Sequence, residues 1–390
     1  MLDQIPFNRP FIAGKELFYM ANAVVEGHLA GRGAYARRCE AWLRENFAAP
    51  HAMLTHTCTA ALEMAALLAD VGAGDEVILP SFTFVSTANA FALRGASLRF
   101  VDIRPDTLNL DERLVERAIT PRTRAIVPVH YAGVACAMDE LVAIAAAHRL
   151  LVIEDAAQGV GATYRGRHLG TLGHLGCYSF HETKNLISGE GGALLVNDPA
   201  LVERAEIVYE KGTNRTRFLA GETDRYVWVG LGSSYAPSEL VAAFLYAQLE
   251  AVDQITRERR AIHDCYRQAF APYAARGLVR VPETPAGCQH NAHMFYLILP
   301  TAAARDRLIA SLREVGIQAV FHFVPLHTSP MAARLGCGGG SLPVTEDLSA
   351  RLVRLPCYYG MTPREQDRVI AAVMAALAAA PCRERVPAEA

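Results

Sequence analysis

From about residue 50 the chain alternates short apolar runs with amphipathic stretches, and few folds accommodate that rhythm. The runs fall at 76–79, 98–101, 125–129, 150–154, 176–180 and 193–196, with helical patterns such as 60–68 and 140–148 between several of them. Strands apolar throughout are buried on both faces, and strand–helix–strand connections pair them in parallel. The rhythm predicts an α/β chain built on a mostly parallel sheet with helices on both sides.

The two ends read differently. Leu17, Met20, Ala21, Val24 and Val25 recur at helical spacing ahead of the sheet. A long helix is expected over 238–249, with Arg257-Glu258-Arg259-Arg260 as its exposed continuation. Beyond it come a strand at 294–299, a helix at 303–315 ending at Gly316, a strand at 317–323 and two more helices. These form a smaller α+β unit. The expected division is a large domain over 1–250 and a small C-terminal domain over 251–390, with about the first 25 residues packing on the small one. Gly338-Gly339-Gly340 reads as a surface loop.

Composition excludes several classes. A chain of 390 residues easily buries a large core. Its formal charge of −2 leaves no broad basic surface for nucleic acid or anionic lipid. No run of eighteen uncharged apolar residues is present, and the N-terminus lacks a signal-peptide pattern. The expectation is a cytoplasmic protein without membrane or nucleic-acid partners. Nine scattered cysteines with no C-x-x-C pair suit reduced thiols rather than disulfides or structural zinc.

Lysine usage points to chemistry. Only Lys15, Lys184 and Lys211 occur among 38 basic residues. Arginine replaces lysine on most solvated surfaces but cannot form an imine, since it stays protonated and delocalised. Lys184 lies in Ser179-Phe180-His181-Glu182-Thr183-Lys184-Asn185, between an apolar run and the glycine-rich Gly189-Glu190-Gly191-Gly192. A turn at a strand end suits an amine that attacks a carbonyl carbon. For Lys15, survival of compositional drift is the better reading.

In an open parallel sheet, ligands gather at the carboxyl ends of the strands. Glu154-Asp155-Ala156-Ala157-Gln158 closes one apolar run. An aspartate there can pair with a protonated ring nitrogen or simply cap the following turn. Paired with Lys184 one strand later, it makes the arrangement a pyridoxal phosphate enzyme requires. Thr57-Cys58-Thr59 precedes a helix and offers either a phosphate site or an ordinary threonine cap, and Ser179 could add a donor. In Pro80-Ser81-Phe82-Thr83-Phe84 an aromatic could stack on a ring or belong to the core. No metal site is expected: His174, His181 and Glu182 lack H-E-x-x-H spacing, and His322 with His327 has no further ligand nearby. Gly31-Arg32-Gly33-Ala34-Tyr35-Ala36 resembles a dinucleotide turn but follows a helix rather than a strand, which excludes it.

Taken in order, these residues resemble the DegT/DnrJ/EryC1/StrS sugar aminotransferases, over roughly residues 4–380. The resemblance implies the fold type I pyridoxal phosphate architecture (aspartate aminotransferase-like), with Lys184 carrying the cofactor and shuttling the proton. It implies that Asp155 pairs with the ring nitrogen, Gln158 bonds the ring hydroxyl, and Phe84 stacks on the ring. Thr57, Cys58, Thr59 and Ser179 would hold the phosphate. His322, His327 and Lys211 would lie near the sugar. Family members are homodimers whose neighbouring subunit completes the phosphate site, usually through an asparagine; here Ser234, in Gly232-Ser233-Ser234-Tyr235, takes that position. L-glutamate and a dTDP-linked keto sugar are the expected substrates. Members with histidine at the lysine position dehydrate instead, and Lys184 argues against that branch.

Overall fold

The computed structural model describes residues 4–379. Its strands are β1 (Ala52–Thr55), β2 (Glu76–Pro80), β3 (Ser97–Val101), β4 (Thr123–Ile126), β5 (Leu151–Asp155), β6 (Thr163–Tyr164), β7 (Arg167–His168), β8 (Leu175–Ser179), β9 (Gly192–Val196), β10 (Cys288–Gln289), β11 (Phe295–Ile298) and β12 (Leu352–Leu355). Seven form the main sheet in the order β1-β9-β8-β5-β4-β2-β3. Neighbours from β3 to β8 pair in parallel, whereas β9 runs antiparallel to both β8 and β1. Six carboxyl ends therefore share one edge, and β9 begins there.

Every residue of β1, β2, β8 and β9 is buried, as the uninterrupted apolar runs require, while edge strand β3 is partly exposed. One apolar cluster packs Leu43, Leu141 and Leu249 against one face, and another packs Leu62, Phe91 and Val208 against the other. A third core, around Phe270, Phe295, Leu312 and Val369, gathers the antiparallel pair β11–β12 with the helices Val252–Ala275, Ala302–Glu314 and Pro363–Ala379. Ile5 joins that core and bridges Ile317.

Several local expectations are corrected. Strand β1, on a short run after Pro50, is not among the expected strands. The run at 125–129 ends its ladder at Ile126, since Pro128 has no amide to donate, and only Val129 bridges Asp155. The stretch at 317–323 makes isolated bridges at Ile317 and Val320 instead of a continuous strand. Arg259 is 2% exposed, with Nε donating to Ala292 O and Nη2 to His293 O. An arginine in a charged run is thus drawn inward to satisfy loop carbonyls. The early helix, Glu16–Glu26, turns Leu17, Val24 and Val25 outward and buries Ala23.

The glycine turn at 31–33 also has a purpose. The amides of Gly33, Tyr35 and Ala36, at the start of the helix Ala34–Phe47, donate to the Glu239 carboxylate at 2.8, 2.7 and 3.1 Å. A Cβ on Gly33 would lie 2.3 Å from Glu239 Cδ. The turn binds an anion, as helix N-termini do, but the anion is the protein's own. Glu239→Ala leaves these buried amides without an acceptor and is expected to cost about 3 kcal/mol in urea unfolding. Glu239→Gln should recover part of that, and an unchanged midpoint for the alanine variant would contradict this role.

Candidate active site

The shared edge of the sheet and the β11–β12 unit enclose a cavity of about 840 Å³. Thr57, Cys58, Thr59, Phe84, Asp155, Gln158, Ser179, Lys184 and His322 all line it. Residues up to 265 positions apart converge because the carboxyl ends of β1, β2, β5 and β8 share one edge of the sheet and the stretch around His322 faces it across the cavity.

Asp155 closes β5. Because strand side chains alternate, Glu154 faces the opposite way and is fully buried. Glu154 accepts from His130 Nε2 (2.8 Å) and from the amides of Gly170, Leu172 and Gly173 (2.8, 2.6 and 2.6 Å). Asp155 accepts from Thr87 Oγ1 at 2.6 Å and from Ala157 N at 3.1 Å, and Thr87 pairs with Thr83 Oγ1 at 2.8 Å. The aspartate therefore caps its turn and also presents a restrained carboxylate to the cavity. Gln158 Oε1 accepts from Ala132 N at 2.7 Å, which leaves its amide N–H groups to donate.

Lys184 follows β8 in a loop closed by Glu182 N to Gly189 O and Ser188 N to Phe180 O. Among the described residues its amine is paired with no carboxylate at ion-pair distance. Burial pushes its pKa below the ordinary lysine range; Cys58 and Asp155 oppose that shift, and Arg354 adds to it. The amine is thereby held nearer its neutral, nucleophilic form. His293 and His322, also lining the cavity, are kept neutral chiefly by burial. The Tyr131 hydroxyl bonds His322 Nδ1 at 2.7 Å.

Thr57 caps the helix Cys58–Leu68, with Oγ1 accepting from Ala60 N at 3.0 Å. The amides of Cys58 and Thr59 stand ahead of the first intrahelical bond, at the end bordering the cavity. Ser179 lies opposite on β8, and Thr59 Oγ1 bonds Ser86 Oγ at 2.8 Å. Gly192 is required here: a Cβ would sit 2.5 Å from Cys58 N and 2.6 Å from Thr57 O. Phe84 is 58% exposed in this single chain, so its ring is available to a ligand.

Three expected site residues lie elsewhere. His327 is buried away from the cavity, bonding Ser81 Oγ through Nδ1 (2.7 Å) and Glu346 through Nε2 (3.2 Å), because the helical turn Leu326–Thr328 docks on Ser81. Lys211 and Ser234 are exposed and do not line the cavity of their own chain. Conversely Phe7, Asn8, Thr87, His293 and Arg354 line it without having been singled out as site residues. Thr87 carried a signal, sitting one helical turn after Thr83; Arg354, in β12, carried none.

The donor set fits pyridoxal 5'-phosphate: amides and hydroxyls at a helix start can hold a phosphate, a restrained carboxylate can pair with a pyridinium, and an unpaired buried amine can bond an aldehyde. Fold and cavity together define a fold type I pyridoxal phosphate enzyme. The chain belongs to the DegT/DnrJ/EryC1/StrS aminotransferase family, which it matches over residues 12–374, and is a sugar aminotransferase. It is 34% identical over 374 residues to GDP-perosamine synthase of Caulobacter vibrioides, covering 95% of this chain and 98% of that one. It is 33% identical over 377 residues to the spore coat polysaccharide biosynthesis protein SpsC of Bacillus subtilis, covering 95% and 96%. The DesV structure from S. venezuelae, a complex with a ketimine intermediate, superposes with a TM-score of 0.86 at 31% identity, covering 98% of this chain and 100% of that one. Among the described residues no cluster suited to a metal ion and no helix long and apolar enough to cross a membrane is present.

Two outcomes follow from this geometry. Borohydride reduction with bound cofactor near neutral pH should label Lys184 alone; label on Lys15 or Lys211 would contradict the site. Thr87→Val removes the 2.6 Å bond to Asp155 and should weaken cofactor affinity about tenfold by spectroscopic titration. An unchanged affinity would mean that Asp155 needs no support.

Proposed function

We propose that the chain transfers the amino group of L-glutamate to C4 of dTDP-4-keto-6-deoxy-D-glucose, giving dTDP-4-amino-4,6-dideoxy-D-galactose. The observation that carries this reading is an unpaired Lys184 amine sharing one cavity with the restrained Asp155 carboxylate. When bound, pyridoxal phosphate supplies an electron sink that makes the proton on an amine-bearing carbon removable. Thr57, Cys58, Thr59 and Ser179 would hold its phosphate end, Phe84 would stack on its ring, and Gln158 would donate to its hydroxyl. Asp155 keeps the ring nitrogen protonated. The Lys184 amine, in its neutral form, would take the proton from the donor's α-carbon and return one to C4 of the sugar.

Support for the acceptor comes from the sequence. Pro6-Phe7-Asn8, residues 80–90, 128–136, 179–185, 210–215, 291–296 and 321–327 resemble dTDP-4-amino-4,6-dideoxygalactose transaminase, which acts in enterobacterial common antigen synthesis. Similarity to GDP-perosamine synthase supports a second reading, a GDP-linked 4-keto sugar as acceptor. The active form in this proposal is a cytoplasmic homodimer. Phe18, Leu17, Val25, Trp228 and Leu231 are exposed apolar groups that a second copy would cover, and Ser234 and Lys211 would then serve the neighbour's cavity.

Incubation with L-glutamate and either nucleotide keto sugar, with the product solved by NMR, tests the proposal. The dTDP substrate should be converted at least about tenfold more efficiently and yield an axial C4 amine. Preference for the GDP sugar would select the second reading. Lys184→Ala is expected to lose turnover by about 10⁴-fold while still binding cofactor, and appreciable turnover would remove Lys184 from the proton transfers.

A further inference from the structure

We propose that His293 is a specificity-determining residue whose Nε2 accepts a hydrogen bond from a ring hydroxyl of the keto sugar, an assignment that rests on the sugar-acceptor reading above. Asn185, one residue after Lys184, is buried, and its Nδ2 donates to Asn291 O at 2.7 Å. A carbonyl oxygen can only accept, so this contact fixes which end of the Asn185 amide is nitrogen. Asn185 Oδ1 consequently faces His293 Nδ1, 3.0 Å away, and it too can only accept. Nδ1 therefore carries the hydrogen. In a neutral imidazole the other nitrogen then holds a bare lone pair.

The backbone around the ring is fixed as firmly as its tautomer. His293 N donates to Asn291 Oδ1 at 3.0 Å, and His293 O accepts from Arg259 Nη2 at 2.7 Å. Asn291 Nδ2 is anchored in turn on Gln158 O and Val160 O, at 2.8 and 2.9 Å. Burial, with cationic neighbours adding to it, holds the ring's pKa well below the ordinary histidine range and keeps it neutral. The residue lines the cavity, and among the described residues Nε2 has no partner. The neighbouring His322 is less defined, since its Nδ1 partner is a tyrosine hydroxyl able to donate or accept.

A fixed acceptor at this place discriminates between the two substrates. The carboxylates of an amino acid only accept, so a lone pair offers them nothing. A sugar hydroxyl can donate. The keto sugar carries hydroxyls at C2 and C3, the second of them beside the reacting carbon. The contact with Asn185 sets the ring beside the lysine loop, and residue 293 leads into β11 on the wall facing the sheet edge. The cofactor's polar groups have their own partners in this reading, at the Thr57 turn, Ser179, Asp155 and Gln158.

Two measurements on the holoenzyme test the assignment. With ¹⁵N-labelled histidine, and His293→Phe to identify its signals, NMR near neutral pH should show Nδ1 protonated and Nε2 bare; a protonated Nε2 would overturn the proposal. Stopped-flow absorbance follows each half-reaction, glutamate removing the cofactor band and the nucleotide keto sugar restoring it. His293→Phe keeps a ring but no acceptor. It should slow the sugar half-reaction about tenfold or more at limiting sugar and leave the glutamate half within about twofold. Wild type should lose as much with either the 2-deoxy or the 3-deoxy sugar, and on that analogue the substitution should add less than about twofold. Indifference of wild type to both deletions, or losses that multiply for both analogues, would overturn the proposal without requiring the variant alone to decide. A glutamate half-reaction slowed as far as the sugar half would give Nε2 to the donor's amine and overturn it too. Transfer by wild type to no keto sugar would instead remove the acceptor reading itself, a result seen before any substitution is made.

Discussion

Two adjacent carboxylates at the end of β5 divide the structural and chemical work of the molecule. Glu154 points into the protein and ties His130 and the amides of Gly170, Leu172 and Gly173 into one network. A buried charge is tolerated only when its lone pairs are satisfied, and here four donors meet them. That network fixes the loop entering β8, and through β8 the distance from Asp155 to Ser179 and Lys184. Asp155, one residue on, can then face the cavity with Thr87 behind it.

The remaining geometry follows from sheet direction. Parallel pairing brings the ends of β1, β2, β5 and β8 to one edge, so helix starts, turns and the lysine loop meet without long connections. The β11–β12 unit closes the cavity from the other side with Arg354, His322 and Phe323. Neutral histidines and a lowered lysine pKa come chiefly from the same cause, withdrawal from water, with neighbouring cationic groups adding to it.

What could be read from the residues alone was whatever depends on near neighbours in the chain. Apolar runs gave most of the parallel strands; strand ends drew attention to Asp155, Gln158, Ser179 and Lys184, and a helix start to Thr57, and these meet in the cavity. Features decided by distant partners escaped. His327 has the same letters around it whether it faces a sugar or Ser81, and the contact across 246 positions decides. Arg259 reads as surface until the carbonyls of Ala292 and His293 come to meet it. Arg354 sits in an otherwise apolar strand, and its place on the cavity wall is visible only when the whole cavity is assembled. The glycine turn at 31–33, set aside in the sequence as a dinucleotide site, gives no sign there that its amides hold Glu239.

The start of β9 has an implication for how the protein tolerates motion. With Gly192 pressed against the Thr57–Cys58 backbone, the one reversed strand acts as a backstop to the anion-binding turn. Because β9 is also hydrogen-bonded along its length to β8, loosening on the lysine side is transmitted mechanically to the opposite wall of the pocket. Thermal softening of that strand would disturb both grips on a ligand at once, so they should fail together on heating instead of in succession.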